Sequence, residues 1–291
     1  MLTLNEAHKK FIEKLKGENK SQATVVAYSK DIEQLINHLT NTGVNLVTEV
    51  KLNHLEDFMK KLAGAEYTLK SVSRKINATR TFIKYLHLEG HVTENVSLGL
   101  KHPKLEIKGP RILSKMEYRA LRDATRNDLR TYAMIEMLLQ TGITISELAE
   151  IKMEHITVSS VPGNIFVPKK NNKEARNIPL NKAAVEAVTK YLNDERSAVK
   201  GSLYLFVTKT GNPLLIRNIR STIDRYFKAA GVEKAKVNDL RHTFVANHLM
   251  NGVSIIYLSK IAGHKRISTT ERYLQYIERT GDQEKTELDI L

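Results

Sequence analysis

Cysteine is absent from this sequence of 291 residues. Disulfides, thiolate nucleophiles and cysteine-based zinc sites are therefore excluded, and a reducing cytosol is the natural compartment. Long apolar runs are also absent, and the first residues lack the basic segment and apolar stretch of a secretion signal. Neither a membrane-spanning helix nor a cleaved leader is expected. We expect a soluble, cytoplasmic protein.

Acidic residues are in the minority. There are 32 Asp and Glu against 46 Lys and Arg, which gives a net charge of +14 and an isoelectric point near 9.7. Such an excess suits a polyanionic partner, although a basic surface exposed only to solvent has the same composition. At this length we expect two domains, each with its own core.

Residues 103–111 contain two prolines, a glycine and three basic residues, with little helical periodicity. This composition predicts an exposed linker between domains at 1–102 and 112–291. Residues 1–110 carry 17 basic and 12 acidic residues, a balance of +5, and residues 111–291 carry 29 and 20, a balance of +9. Because both halves are basic, we expect both to grip one duplex, from opposite sides.

Before the linker, apolar residues recur at steps of three and four, which predicts four helices. Ser21 and Ser71 are expected as N-caps of two of these helices. Gly43 and Gly90 follow helical stretches and are expected to stop them at the C-terminal end.

The last of these helices, predicted from Ser71 to about His87, has a polar face opposite its apolar stripe. That face includes Arg74 and Lys84, and Lys70 lies just ahead of the helix. The pattern is typical of a helix that lies along a DNA groove and equally of a solvated helix face, so both interpretations stay open. Lys70, Arg74 and Lys84 are candidate DNA-binding residues.

Beyond the linker, Ser114 and Glu117 form a capping-box pattern at a helix start. Two apolar segments, 164–168 and 176–180, flank the polar residues 169–173 and predict a basic β-hairpin. Helical patterns then resume and continue towards the end of the chain. The expected fold class is α+β, mainly α with a small β-hairpin or sheet.

Three residues in the last quarter combine into a chemical pattern. Arg241 supplies a fixed cation, His264 an imidazole and Tyr273 a phenol, and these are the groups needed to attack and stabilise a phosphodiester. A phenol with a pKa of about 10 is a poor nucleophile and needs cationic and hydrogen-bonding neighbours. Taken singly, the three would be a surface ion pair, a structural histidine and a packed core tyrosine.

The order of segments 239–244, 261–264 and 268–273 resembles the C-terminal signature of the tyrosine recombinases, the phage integrase family. In that family the second arginine and a His or Trp precede the nucleophile by distances that match those of Arg241 and His264 from Tyr273. Tyr276 is a competing phenol, but the spacing to His264 favours Tyr273. The first domain, including residues 24–31, resembles the helical, SAM-like core-binding domain of Xer-type recombinases, and the resemblance implies a tyrosine-recombinase catalytic domain after it.

The sequence departs from the family at two positions. In the motif at residues 141–148, Thr144 stands where the family has its first arginine, and in 238–241 Asn238 replaces a histidine. Threonine offers one neutral hydroxyl in place of a charged, two-pronged donor, and loss of one such donor typically costs about 10²–10³ in rate. Asn238 can hydrogen-bond a phosphate but cannot shuttle a proton.

The family's catalytic lysine lies in a hairpin turn that residues 170–176 resemble, with one inserted residue. The resemblance implies that Lys170 is the general acid for the leaving 5′-hydroxyl, with Lys169 as an alternative. The turn is also interpretable as a basic loop that grips phosphate through Lys169 and Lys173.

The resemblance implies a site-specific recombinase in which Tyr273 forms a 3′-phosphotyrosyl link with DNA, without a metal or nucleotide cofactor. The implied partner is double-stranded DNA with specific recombination sites, at the nucleoid. The implied assembly is a homotetramer on two sites, joined through the tail that begins at Arg279. Two alternatives stay open: a catalytically impaired, recombinase-like DNA-binding or regulatory protein, supported by Thr144 and Asn238, and a type IB topoisomerase-like enzyme.

Overall fold

A computed structural model describes residues 1–18, 20–65, 67–104, 109–170, 173–196 and 201–281. The chain divides into two compact units, Met1–Ile107 and Lys108–Leu291, and each has its own hydrophobic core. None of the helices in these ranges has the length and apolar character needed to span a membrane. The predicted α+β class, mainly helical with one small sheet, is confirmed.

The described part of the first unit contains the four predicted helices: α1 (Leu4–Gly17), α2 (Gln22–Asn41), α3 (Leu52–Gly64) and α4 (Leu69–Leu88). Ser21 caps α2, as predicted, by accepting a hydrogen bond from the Thr24 amide. Ser71 is not the cap of α4, and that prediction was wrong. Thr68 accepts from the Ser71 amide, so the helix begins at Leu69 and Ser71 lies in its first turn.

Part of the polar face of α4 is exposed to solvent, and part of it is bonded to α2. Lys70 and Lys84 are exposed, whereas the Arg74 guanidinium is bonded to Asp31, a buried carboxylate on α2. Asp31 also accepts from the buried Lys75 ammonium at 2.9 Å. Since an unpaired buried carboxylate is costly, Arg74 helps to hold α2 against α4 in addition to facing solvent.

The second unit is built around a helix that is buried on nearly all sides. The order is α5 (Lys115–Thr125), α6 (Leu129–Thr141), α7 (Ile145–Leu148), β1 (Ile156–Thr157), β2 (Gly163–Val167), β3 (Arg176–Leu180), α8 (Lys182–Asp194), α9 (Ile216–Ala229), α10 (Val237–Met250), α11 (Ile255–Ala262) and α12 (Ser268–Gly281). Ser114 and Glu117 form the predicted capping box at α5. Helix α6 packs against both α8 and α10, which explains its continuous apolar sequence.

The predicted hairpin is present as β2 and β3, and β1 extends it to an antiparallel sheet of order β1-β2-β3. Ile165 pairs with Ile178, and Val167 pairs with Arg176. The side chains of Ile165, Val167 and Ile178 face the core, because alternate residues of a strand point to the same face.

Two glycines turn the chain where functional residues meet. Gly142 ends α6 with φ +63°, and a Cβ there would overlap the Phe244 ring on α10. Gly263 ends α11 with φ +68°, and a Cβ there would overlap the Arg176 guanidinium on β3. Both positions need the left-handed backbone and the missing side chain that only glycine combines without strain.

Candidate active site

Arg241 lies in the middle of α10 and is buried, with 7% of its surface exposed. Its Nη1 donates a hydrogen bond to the carbonyl oxygen of Gly142, at the end of α6. Burial lowers the pKa of Arg241, and the negative charge of Glu147 raises it in part. A guanidinium stays protonated at neutral pH, so the site contains a fixed positive charge that is held in place by the backbone.

Tyr273, on α12, is buried beside two imidazoles and is 5% exposed. Its Oη is hydrogen-bonded to His242 Nδ1 at 2.6 Å, and its ring stacks on His264 with 6.3 Å between ring centroids and 15° between planes. Burial raises the pKa of Tyr273, while the charge of Arg241 opposes that rise. The phenol is therefore protonated at neutral pH.

His264 follows the turn at Gly263. Its amide donates to the Ser259 carbonyl at 2.9 Å, and its Nδ1 is hydrogen-bonded to the hydroxyl of the fully buried Thr270 at 2.7 Å. Burial, together with the charges of Arg241 and Lys173, lowers the pKa of His264 to about 4. The imidazole is neutral at physiological pH, with one ring nitrogen committed to Thr270.

Thr144 is the N-cap of the short helix α7. Its hydroxyl lies 2.8 Å from Glu147 Oε2, and its amide donates to the same oxygen at 2.7 Å. The side chain therefore has a local structural role at the position where the sequence predicts a weakened phosphate contact.

Glu147 connects α7 with the hairpin. Its Oε1 accepts from Lys173 Nζ at 3.2 Å and from Arg176 Nη1 at 3.0 Å. Burial by itself would raise the pKa of Glu147, but hydrogen bonds from Arg176 and the Thr144 amide, with the nearby positive charges, lower it to about 2. The sequence motif contains Glu147, but its distant partners on the hairpin follow only from tertiary packing.

The lysines of the hairpin have different carboxylate partners. Lys173 is bonded to the buried Glu147, and Lys170 pairs with the exposed Glu150. The Nζ of Lys169 lies 3.3 Å from Oε1 of Glu174. Lys173 is also close enough to His264 for its charge to lower the pKa of that imidazole. Lys170, the residue predicted as the general acid, is bonded to the exposed Glu150 and not to the buried Glu147.

A cavity of about 550 Å³ opens beside Arg241. Thr144 and Asn238, the two departures from the expected pattern, both line it, together with Arg220 of α9 and Lys236. Asn238 Nδ2 also lies 2.8 Å from His242 Nε2. The cavity therefore combines the two substituted positions with two cations that the sequence analysis did not identify.

Tyr276, the competing phenol, has different surroundings. Its ring lies on Gly109, where any Cβ would overlap the ring. Tyr273, by contrast, is within contact of His242 and His264, and the charge of Arg241 acts on its pKa. The surroundings of Tyr273 combine cation and imidazole groups in the way that a phenolic nucleophile needs.

Besides Arg220 and Lys236, three further residues of this site were not predicted from the sequence: Glu147, Arg176 and His242. The Arg176 side chain is 9% exposed, and its Nε donates to the Ile261 carbonyl at 2.7 Å. His242 directly follows Arg241 and was part of the motif used to recognise the site, but its contact with Tyr273 was not foreseen. All three lie inside segments that resemble family motifs, and their polar character there is the signal that was available.

We expect Glu147→Gln to destabilise the protein at neutral pH and to have less effect in acid. The paired carboxylate of Glu147 stabilises the fold above the ordinary carboxyl pKa of 4.5, and this stabilisation is lost as the pH falls towards about 2, since its pKa is lowered on folding. The lowering corresponds to roughly 2–4 kcal/mol at neutral pH. Urea-induced unfolding of both proteins at pH 7 and at pH 3 measures the effect.

The matched control is Glu150→Gln, which removes an exposed carboxylate that pairs with Lys170. We expect this change to alter the free energy of unfolding by less than about 1 kcal/mol. If Glu147→Gln costs as much at pH 3 as at pH 7, the ionised carboxylate is not what stabilises the connection between α7 and the hairpin.

Family models cover most of the chain. The Phage integrase family model matches residues 111–279, and the Phage integrase, N-terminal SAM-like domain model matches residues 9–90. A protein named tyrosine recombinase from Pseudothermotoga lettingae is 30% identical over 268 residues, which are 91% of this chain and 90% of that protein. A protein named tyrosine recombinase XerC from Natranaerobius thermophilus is 32% identical over 277 residues, 90% of this chain and 91% of that protein.

Solved structures share the fold. The XerA recombinase is 25% identical with a TM-score of 0.54, over 97% of this chain and all of that one. A lambda integrase dimer bound to a COC′ core site is 17% identical with a TM-score of 0.78, over 99% of this chain and 81% of that one. At 17% identity the second likeness concerns the fold alone.

Proposed function

Because this chain belongs to the phage integrase family of tyrosine recombinases, we propose that Tyr273 is the nucleophile with which it cleaves DNA. The chain is a site-specific recombinase. The observation that supports this role for Tyr273 is its phenol, buried beside two imidazoles and near Arg241. In the proposed step, Tyr273 Oη attacks a DNA phosphorus, the bond from phosphorus to the 5′-oxygen breaks, and a 3′-phosphotyrosyl link forms. The freed 5′-hydroxyl then attacks the link on the partner strand.

Arg241 and His264 are proposed to stabilise the charge of the pentavalent phosphate. Arg241 does so as a fixed cation in a buried setting, where electrostatic interactions are stronger than in water. His264 does so as a neutral donor. When the Thr270 hydroxyl donates to Nδ1, the ring proton is on Nε2 and points to the other side of the ring.

Lys170 stays our proposed general acid, with Lys169 as its neighbour. Lys173 is bonded to the buried Glu147, whereas the partner of Lys170 is an exposed carboxylate. An exposed ion pair is worth less than about 1 kcal/mol, so a DNA phosphate can displace Glu150 from Lys170 at little cost. Lys173 would then contribute a phosphate contact and hold the hairpin.

Thr144 and Asn238 are proposed to take the places of the family's first arginine and first histidine with reduced effect. Both line the cavity beside Arg241, where we propose that the DNA phosphate binds. A binding-only relative and a type IB topoisomerase-like enzyme are not favoured, because the matched relatives over nearly the whole chain are named tyrosine recombinases.

We also propose that 1–102 and 112–291 are two DNA-binding domains joined by residues 103–111. Lys70, Arg74 and Lys84 of α4 would contact phosphates from the first, and Lys169 and Lys173 from the second. Solved relatives include a lambda integrase tetramer bound to a Holliday junction, which supports a tetramer on two sites for this chain, acting at the nucleoid. The tail proposed to link the protomers, from Arg279 onward, lies almost entirely outside the described residues.

The two basic halves lead to a binding prediction. Affinity for duplex DNA is expected to fall steeply with salt, by roughly 10³–10⁵ between 50 and 200 mM if six to ten phosphates are contacted. Fragments 1–107 and 108–291 each have their own core and are each expected to bind much more weakly than the whole chain. Titration of a labelled duplex with each protein tests this, and full affinity from one fragment alone would contradict it.

Covalent attachment to DNA is the direct test of the proposed function. A binding site is first selected from a random pool of duplexes with the full chain, and duplexes nicked at successive positions within it are then supplied. A nick near the cleaved phosphate lets the short strand diffuse away, so that the protein stays attached to DNA. A protein–DNA band that survives denaturation is the expected result. A protein that binds the selected site tightly and never becomes attached is instead the binding-only relative.

A further inference from the structure

We propose that His242 is the general base that removes the proton from Tyr273, and that Asn238 is a positioning residue that sets the tautomer of His242. His242 Nδ1 lies 2.6 Å from Tyr273 Oη, and its other ring nitrogen, Nε2, lies 2.8 Å from Asn238 Nδ2. The three side chains form one continuous hydrogen-bonded chain. The inference rests on the proposed function, in which Tyr273 is the nucleophile.

The site needs a base because Tyr273 is protonated before it attacks. Burial raises the pKa of its phenol, and the neutral phenol is a weak nucleophile. Among the described residues, the other imidazole near Tyr273 is that of His264, which stacks on the ring and has its Nδ1 bonded to Thr270. His242 is in hydrogen-bond contact with the atom that must lose its proton, which is the first requirement for a general base.

His242 is neutral and can accept a proton at neutral pH. Burial lowers its pKa, the charge of Arg241 lowers it further, and the carboxylate of Asp239 raises it in part. The groups that face it from other elements are the Tyr273 phenol on α12 and the neutral His264 ring. Among the described residues, the charges that act on the pKa of His242 are those of Asp239 and Arg241 on its own helix.

Asn238 decides which ring nitrogen of His242 is free. When its Nδ2 donates to Nε2, the ring proton is on Nδ1, which then donates to Tyr273 Oη and cannot accept. When the amide turns and its oxygen accepts from Nε2, Nδ1 carries the lone pair and accepts the phenol proton. An asparagine has both a donor and an acceptor and therefore supports both tautomers of His242. A side chain without an acceptor would leave the Nε2 proton unpaired, so the tautomer in which Nδ1 acts as the base would be held less firmly.

The proton balance of the step is complete. As the bond from Oη to phosphorus forms, the phenol proton moves to His242 Nδ1, and as the bond from phosphorus to the 5′-oxygen breaks, that oxygen takes a proton from Lys170. In the joining step the 5′-hydroxyl returns its proton to the lysine, and the imidazolium returns its proton to Oη as the link to Tyr273 breaks. The base thus becomes the acid of the reverse reaction, as microscopic reversibility requires.

The test uses single-turnover cleavage of a nicked site by the full chain. We expect His242→Gln to slow covalent attachment by about 10²–10⁴, the usual contribution of a general base, with DNA affinity unchanged. The pH profile is the second measurement. The wild-type cleavage rate is expected to fall in acid as His242 becomes protonated. This acid limb of the pH profile is expected to vanish in His242→Gln. His248→Gln is the matched control, since His248 is on the same helix and bonds the Phe244 carbonyl; its rate is expected to equal that of the wild type.

A substrate with sulfur in place of the leaving 5′-oxygen separates a base from an acid. A thiolate leaves without taking a proton, so this substrate is expected to restore cleavage by Lys170→Ala and not by His242→Gln.

Asn238→Asp is expected to move the acid limb of the pH profile to higher pH, because a carboxylate at Nε2 stabilises the imidazolium of His242.

The outcomes are distinct. If the wild-type protein cleaves the site and His242→Gln cleaves it at the same rate, this inference is overturned and the role of Tyr273 stays intact. If the substrate with sulfur at the leaving position restores cleavage by His242→Gln, His242 protonates the leaving group. That result also overturns the inference that His242 is the base. No attachment by the wild-type protein at its selected site overturns the proposed function itself, and with it the need for a base.

Discussion

Tyr273→Phe is expected to abolish covalent attachment to DNA while leaving DNA affinity within a few-fold of wild type. The change removes one oxygen from a buried ring that packs against His242 and His264, and the ring itself stays. The reaction loses its nucleophile, so the loss of rate is complete within detection. Trapping on a nicked site, followed by a denaturing gel, measures attachment, and a filter-binding titration measures affinity.

Tyr276→Phe is the matched control on the same helix. Its ring packs on Gly109, and phenylalanine preserves that packing, so attachment is expected to continue at close to the wild-type rate. Attachment that survives Tyr273→Phe and disappears in Tyr276→Phe would reverse the assignment. Loss in both variants with DNA binding also lost would point to damage to α12.

Thr144→Arg is the second large effect, and here we expect a gain. The added guanidinium would restore a charged, bidentate phosphate donor beside Arg241, with a rate increase of up to about 10²–10³ in single-turnover cleavage. The cavity of about 550 Å³ beside Thr144 gives the longer side chain space.

Thr144→Gln is the control for size, since it is long and polar but uncharged. A gain with arginine and none with glutamine would show that charge was the missing component. If arginine brings no gain while the Thr144 protein cleaves efficiently, one of the cations that line the same cavity, Arg220 or Lys236, has taken over the role. Of the variants Arg220→Ala and Lys236→Ala, the one that removes the substituting cation would then show a large loss of cleavage.

The fold was largely predictable because it follows from local patterns. Helical periodicity and the two apolar segments around residues 169–173 were enough to find α2, α4 and the hairpin. The start of α4 was placed wrongly because Thr68 and Ser71 are both good N-caps, and the apolar pattern does not decide between two caps three residues apart. Family resemblance, and not periodicity, identified the catalytic unit.

The candidate site was predictable in its outline and not in its connections. Resemblance to the family's motifs, with their spacing to the nucleophile, singled out Arg241, His264 and Tyr273, and the structure brings these three together, while their roles stay predictions. The ion pairs of Glu147 with Lys173 and Arg176 depend on how α7 lies against the hairpin. The contact of His242 with Tyr273 depends on how α10 packs against α12. No local pattern carries such information.

The capping role of Thr144 bears on how this chain has diverged. Threonine is among the preferred N-cap residues, and its hydroxyl and amide both satisfy Glu147, whereas arginine has no acceptor with which to cap a helix. Threonine in place of the family's arginine therefore keeps Glu147 paired and is expected to cap α7 better than arginine would. We expect this position to favour stability where catalysis is expected to suffer, the common form of the trade-off between the two. Selection for folding alone would retain this threonine, and only selection for rapid strand cleavage would act against it.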